Sequence, residues 1–144
     1  MKISTKGRYA LRFLLDLAEH QNDGFIALKD VAVRQKISKK YLEQIIPVLN
    51  RSDILSANRG YQGGYKLVKP ANQYTVGEIL RLTEGSIAPV ACLDFDPIQC
   101  ERCEECITLP VWRGLHKVIS DYLDNITLQD ILNNRSEGSD NYVI

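Results

Sequence analysis

The sequence predicts a mostly α-helical chain carrying one small β-hairpin. Three observations lead there. Tyr9, Ala10, Phe13, Leu14, Leu17 and Ala18 recur at helical spacing. Two short extended runs bracket a turn holding Gly60, Gly63 and Gly64. Near the carboxy end, Val111, Leu115, Val118 and Tyr122 step by four, three and four, which marks one face of a long helix.

Each element has its own signals. Thr5 is the expected N-cap of the first helix, which should stop at the turn cluster Gln21-Asn22-Asp23-Gly24. Phe25-Ile26 reads as a very short strand. A second helix is expected over Leu28–Gln35 with Val31 and Ala32 inward, then a connection Lys36-Ile37-Ser38. Ser38 should cap a third helix from Lys39 to about Arg51, its hydroxyl accepting an orphan backbone N–H. Pro47 lies inside it and lacks an N–H, so a bend or an early end is expected. The hairpin strands read as Ile54–Ala57 and Tyr65–Val68. Thr75 and Glu78 form a capping-box pair for a fourth helix, Val76–Glu84. Residues 86–108 look irregular. Pro110 suits the first turn of a long helix, Leu109 to about Asn125, with Trp112, Ile119 and Leu123 broadening its stripe. Thr127 caps a short last helix, Leu128–Leu132, and the polar tail from Asn133 is expected to be disordered.

An apolar fraction of 44% over 144 residues supports a true core. The net charge of zero hides an asymmetry. Residues 1–70 carry 13 Lys/Arg against 6 Asp/Glu, whereas residues 71–144 carry 5 against 12. A basic half suits a polyanion such as DNA; charge alone leaves a merely solvated surface equally open. No secretion signal and no apolar run near the ~20 residues of a membrane span is visible, so the expectation is a cytoplasmic protein without membrane contact. No nucleophile–base pair, phosphate loop or paired carboxylates point to an enzyme.

Helix, helix, short connection, helix and hairpin is the order of a winged helix-turn-helix. The third helix would meet the major groove with Ser38, Lys39, Lys40, Tyr41, Glu43 and Gln44. Lysines pair with phosphate or guanine, Gln44 with adenine, and Glu43 with the cytosine amino group. A solvated face on an ordinary three-helix core is the alternative for any one of them. Arg59 and Gly60 put a cation on a close-approaching backbone at the hairpin tip, as a wing entering the minor groove requires.

Met1-Lys2-Ile3-Ser4-Thr5-Lys6-Gly7-Arg8-Tyr9-Ala10, Tyr41-Leu42-Glu43-Gln44, Arg59-Gly60-x-x-Gly63-Gly64-Tyr65 and Thr75-Val76-Gly77-Glu78-Ile79 together resemble the Rrf-two family of bacterial regulators. The resemblance covers residues 1 to about 132. It implies a homodimer on a partly palindromic double-stranded DNA operator, joined through the long helix. The apolar stripe is equally suited to packing within its own subunit. The organisation that follows is a DNA-binding domain over residues 1–84, a cysteine loop over 85–108, a dimerisation helix and short final helix over 109–132, and a tail over 133–144.

The loop reads Cys92-x7-Cys100-x2-Cys103-x2-Cys106. In a reducing compartment, clustered soft thiolates suggest metal or redox chemistry rather than structural disulfides. Iron–sulfur, tetrahedral zinc and free or redox-switching thiols all fit such a set. The resemblance favours an iron–sulfur cluster, 2Fe–2S ahead of 4Fe–4S, with zinc as the alternative. Cluster-binding members of the family carry three cysteines here, matched by Cys92, Cys100 and Cys106. The iron–sulfur assembly regulator adds a histidine, where this chain has Leu109. The nitric-oxide sensor adds an aspartate from the partner, where this chain has Arg8. Cys103 is extra and is the candidate fourth ligand. His20 and His116 lack ligand spacing; His20 suits a helix C-terminus and His116 a surface position. The family's cysteine-metabolism repressor ends with a tail like Tyr142-Val143-Ile144, so Ile144 is a candidate for docking into cysteine synthase, against a simple frayed end.

Overall fold

A computed structural model of the chain describes residues 1–136. Helix α1 spans Thr5–Glu19, α2 Leu28–Gln35 and α3 Lys39–Asn50; strands β1 (Leu55–Asn58) and β2 (Gly64–Leu67) follow; α4 covers Val76–Glu84, α5 Leu109–Asp124 and α6 Leu128–Ser136. This is the mostly helical, winged helix-turn-helix order expected. Among the described residues, no helix is long and apolar enough to cross a membrane.

The cap of α1 is Ser4, not Thr5. Its hydroxyl accepts from the Gly7 N–H at 3.1 Å and donates to Glu84 Oε1 at 2.6 Å. The residue that also reaches α4 therefore wins the cap. A side chain at the buried Gly7 would collide with that same carboxylate. α1 ends at His20, whose ring Nδ1 donates to the Asp16 carbonyl at 2.8 Å.

Between α2 and α3 the chain turns at Lys36, which adopts a left-handed conformation (φ 54°) and closes α2 through its N–H on the Ala32 carbonyl. A non-glycine residue there is costly unless packing fixes it; the next residue, Ile37, is buried. Ser38 then caps α3 by accepting from the Tyr41 N–H at 3.1 Å. Pro47 does not end α3, which runs on to Asn50. Pro47 is exposed, so the carbonyl that loses a partner lies on the solvent side.

The strands pair antiparallel, Leu55 with Leu67 and Asn58 with Gly64, each starting one residue from its expected place. Gly64 explains part of the shift. The Ile26 backbone lies against it so closely that a Cβ could not fit, and Ile26 exchanges two backbone hydrogen bonds of 2.9 Å with Tyr65. The expected Phe25–Ile26 strand thus exists as a single bridge tying the hairpin to the start of α2.

The main core gathers Phe13, Leu14 and Leu17 of α1, Val31 of α2, Leu42, Ile45 and Leu49 of α3, then Ile54, Tyr74, Ile79 and Leu128. Tyr74 is buried, accepts from the Lys69 N–H at 3.0 Å and donates to the Ile54 carbonyl at 3.5 Å; burial pushes its phenol up. Among the described residues the buried charge is Asp16, 1% exposed. It receives Arg34 Nη2 at 2.7 Å, Arg34 Nε at 3.0 Å and Gln35 Nε2 at 3.0 Å. Among the described residues, no buried side-chain nitrogen or oxygen lacks a hydrogen-bond partner.

A second cluster, Val76, Leu80 and Ile87, receives Ile3, Ile119 and Leu123. It seats α5 on α4, fastened by Arg81 to both Asp124 oxygens at 2.6 and 2.9 Å. Thr75 accepts from the Glu78 N–H, the hydroxyl half of the expected capping box. The reciprocal box forms instead at α6. Thr127 Oγ1 accepts from the Asp130 N–H at 3.0 Å, and Asp130 Oδ2 from the Thr127 N–H at 2.9 Å. α6 runs four residues beyond its expected end, to Ser136, with Arg135 reaching Glu19 at 3.1 Å. Ile144 lies outside the described residues.

Two outcomes follow for stability. Asp16→Ala leaves Arg34 and Gln35 without their acceptor and is expected to cost about 2–3 kcal/mol, read by urea unfolding. Arg81 holds the Asp124 carboxyl below its ordinary value of 3.8. The pair therefore contributes above that value, and its contribution fades as pH falls through the lower folded value. Both side chains are about two-fifths exposed, so Asp124→Asn should cost under about 1 kcal/mol at neutral pH. The gap from the parent should narrow as pH falls below 3.8 and Asp124 takes up a proton.

Candidate nucleic-acid interface and cysteine loop

Ser38, Lys39, Lys40, Glu43 and Gln44 are all exposed at the amino end of α3, opposite its buried Leu42, Ile45, Ile46 and Leu49. Tyr41 differs from them. It is half-buried, with its ring edge-on to Tyr9 at 5.3 Å between centroids, and Arg12 lies over Tyr9 at 5.1 Å. Arg12 also donates to the Gln35 carbonyl. Tyr41 thus props α3 against α1 while its edge stays accessible.

At the hairpin tip, Arg59 and Gly60 are exposed. Gly60 takes φ 102°, a conformation open to glycine, and its carbonyl accepts from the Gly63 N–H at 2.9 Å. Tyr61, 96% exposed, stands at the same tip. Sequence reading passed it over, although an aromatic residue between wing glycines was a usable signal. Behind the tip, the bridge at Ile26 and the edge-on contact of Tyr65 with Phe13 fix the hairpin to the core. Asp16 was also missed. Its place between Phe13 and Leu17, on the apolar side of α1, was the clue.

The four cysteines lie on a run of turns between Ala91 and Leu109, and all are free thiols. Cys100 is exposed; Cys92, Cys103 and Cys106 are half-buried. Cys103 closes a turn by donating its N–H to the Cys100 carbonyl at 3.2 Å. Cys106 Sγ lies 3.3 Å from the Thr108 hydroxyl, which lowers the thiol's pKa. Among the described residues, no three His, Cys, Asp or Glu side chains converge into a metal site. The donor set fits a thiophilic centre by chemistry, four free soft thiols on one stretch of turns, while the loop must close to gather them. His116 departs from its expected surface place: it is half-buried and lines a cavity beside Cys103. Leu109, at the family's histidine position, is buried.

Comparisons with known proteins agree with this layout. The family model described as an iron-dependent transcriptional regulator, Rrf2, matches residues 3–134. The HTH-type transcriptional regulator IscR of Pectobacterium atrosepticum is 37% identical over 135 residues, 94% of this chain and 81% of that protein. The solved structure of T. potens IscR superposes with a TM-score of 0.77 at 38% identity, covering 96% of this chain and 91% of that one. CymR, the global cysteine regulator of B. subtilis, gives 0.76 at 33% identity, covering 92% and 97%. With helix-turn-helix, hairpin and long helix in place and the likeness spanning nearly the whole chain, the protein belongs to the Rrf2 family of DNA-binding transcriptional regulators and is not an enzyme.

Proposed function

We propose that the chain acts as a homodimer on double-stranded operator DNA and senses redox, nitric oxide or iron–sulfur status through a cluster held by its cysteine loop. The observation that carries the reading is the division of exposed surface. Cations and hydrogen-bonding groups occupy the free end of α3 and the wing. An apolar stripe left uncovered by the described residues occupies α5: Val111, Leu115, Val118 and Tyr122 are 59, 42, 66 and 64% exposed. Such a stripe supports a second copy of the same helix packed against it.

In this reading Lys39, Lys40 and Arg59 bind phosphate or base edges, with Ser38, Tyr41, Glu43, Gln44 and Gly60 positioned beside them. Cys92, Cys100 and Cys106 would hold the cluster, with Cys103 as fourth thiolate; a bound 2Fe–2S cluster would supply one-electron redox chemistry and lability to nitric oxide. Zinc on the same thiolates is the competing occupant. Cys106 stands three residues before Leu109, so gathering the thiolates acts directly on the first turn of α5.

The likeness to CymR supports a second reading, a cluster-free repressor of cysteine metabolism governed by cysteine synthase docking at Ile144. Anaerobic purification with iron and sulfide analysis separates the two. Brown protein with stoichiometric iron and sulfide, lost in Cys92→Ala or Cys106→Ala, is expected. Colourless, iron-free protein would discard the cluster and leave the second reading, checked by deleting the last four residues and measuring cysteine synthase affinity. For DNA, the Lys39→Ala, Lys40→Ala and Arg59→Ala variants should each weaken duplex binding. Each lost phosphate contact should also reduce the log–log salt slope by about one. Unchanged affinity and slope in all three would remove α3 and the wing from the interface.

A further inference from the structure

A cavity of about 500 Å³ lies between the cysteine loop and α5, lined by Leu93, Phe95, Asp96, Pro97, Ile98, Cys103, Arg113 and His116. Its size is ordinary for a small-molecule site, about 300–1,000 Å³. Among the described residues, Asp96, Arg113 and His116 make no side-chain hydrogen bond or ion pair. Arg113 and Asp96 are exposed and His116 half-buried, so their charged and polar groups are open to a ligand that enters from solvent. Arg113 and His116 are three apart on α5 and share a face. At about 100° per residue, that face points well away from the Val111–Leu115–Val118–Tyr122 stripe. The cavity and the stripe therefore occupy different sides of α5.

Of the four cysteines, Cys103 alone lines this cavity, and it is the one outside the trio that matches cluster-binding relatives. The chemistry gathered around it is a carboxylate receptor (Arg113, with His116 beside it), an ammonium receptor (Asp96), an apolar wall (Phe95, Pro97, Ile98) and a nucleophilic sulfur. We infer that, in the cluster-free chain, this cavity binds the disulfide of a free α-amino acid, of which cystine is the simplest, and that Cys103 exchanges with it. Only in a free amino acid do carboxylate and ammonium sit on one carbon, next to the carbon that bears sulfur. A tripeptide disulfide has its cysteine nitrogen and carboxyl capped as amides and matches the receptor less well.

The step balances as a thiol–disulfide exchange. The Cys103 thiol releases its proton to solvent, and its thiolate attacks one ligand sulfur. A Cys103–S–S–ligand bond forms and the ligand S–S bond breaks. The second half leaves as a thiolate and takes up a proton. Cys103 is oxidised and the departing half is reduced, with no other oxidant. The adduct fills the space between loop and α5 and blocks Cys103 as a metal ligand.

The inference needs neither the cluster nor DNA binding, so its test uses neither. The full chain, reduced and metal-free, is incubated anaerobically with cystine, glutathione disulfide or the uncharged hydroxyethyl disulfide. Adducts are followed by intact mass and peptide mapping. Cystine is expected to add once, at Cys103, faster than at Cys92, Cys100 or Cys106 and faster than glutathione disulfide adds there. Arg113→Gln and Asp96→Asn should each slow the cystine reaction by about tenfold, the scale of one lost charge-assisted contact. Neither should alter the hydroxyethyl disulfide rate, which separates binding from thiol reactivity. If a neighbouring thiol resolves the adduct, Cys92→Ser/Cys100→Ser/Cys106→Ser restores it for the same rate comparison. Equal labelling of all four cysteines, the same Cys103 preference with hydroxyethyl disulfide, or cystine rates unchanged in both charge variants would overturn the site.

Discussion

A carboxylate sealed inside the protein sets the geometry of its helix-turn-helix half. Asp16 lies on the apolar side of α1, where an unpaired charge would be prohibitive. Arg34 and Gln35, the last residues of α2, are drawn onto it. That fixes where α2 ends, and the next residue, Lys36, must turn left-handed for Ile37 to enter the core. Ser38 then stands free to cap α3. The lysines that follow project into solvent because the opposite side of the helix is fully used by Leu42, Ile45 and Leu49. Arg12 repeats the device one turn earlier, tying α1 to the Gln35 carbonyl. The angle between α2 and α3 is thus specified by polar contacts of definite direction, while apolar packing supplies the bulk of the stability.

α5 divides its surface three ways. Ile119 and Leu123 seat it on α4. The Val111–Tyr122 stripe looks outward. Arg113 and His116 turn to the cysteine loop. Within the subunit it is thus held between α4 and the cysteine loop, with the stripe exposed. The Arg81–Asp124 bridge at its far end gives it a pivot close to α4, whose first turn is itself locked to α6 through the Val76–Ile126 and Tyr74–Leu128 backbone bonds.

Most of the fold was legible because apolar spacing and turn residues are local signals. α2 has the expected bounds, and α3 differs only in ending at Asn50 rather than about Arg51. What failed was decided by distant partners. Ser4 displaced Thr5 as a cap because Glu84, eighty residues away, rewards it with a second bond. The strands moved because Gly64 admits the Ile26 backbone. α6 outran its apolar pattern because Glu19 gives Arg135 a partner. Of the site, residue types and exposure at α3 and the wing were readable; the half-burial of Tyr41 and the inward place of His116 were not, since both depend on packing against another element.

The cysteine loop lacks a core of its own. Between Ile87 and Leu109 none of its residues is buried, so its conformation rests on short turns of little energetic weight. Such a segment is reshaped readily by whatever its thiols bind. The change is delivered at a definite point. The Leu109 N–H reaches the Cys106 carbonyl at 3.4 Å, and Leu109 is buried under the start of α5. The Thr108 hydroxyl beside Cys106 favours the thiolate, the form that binds metals and attacks disulfides. Ligand chemistry at Cys106 and the seating of the long helix therefore meet within three residues. In the proposed dimer, that closeness would couple the loop to the long helix and, through it, to the separation of the two α3 helices.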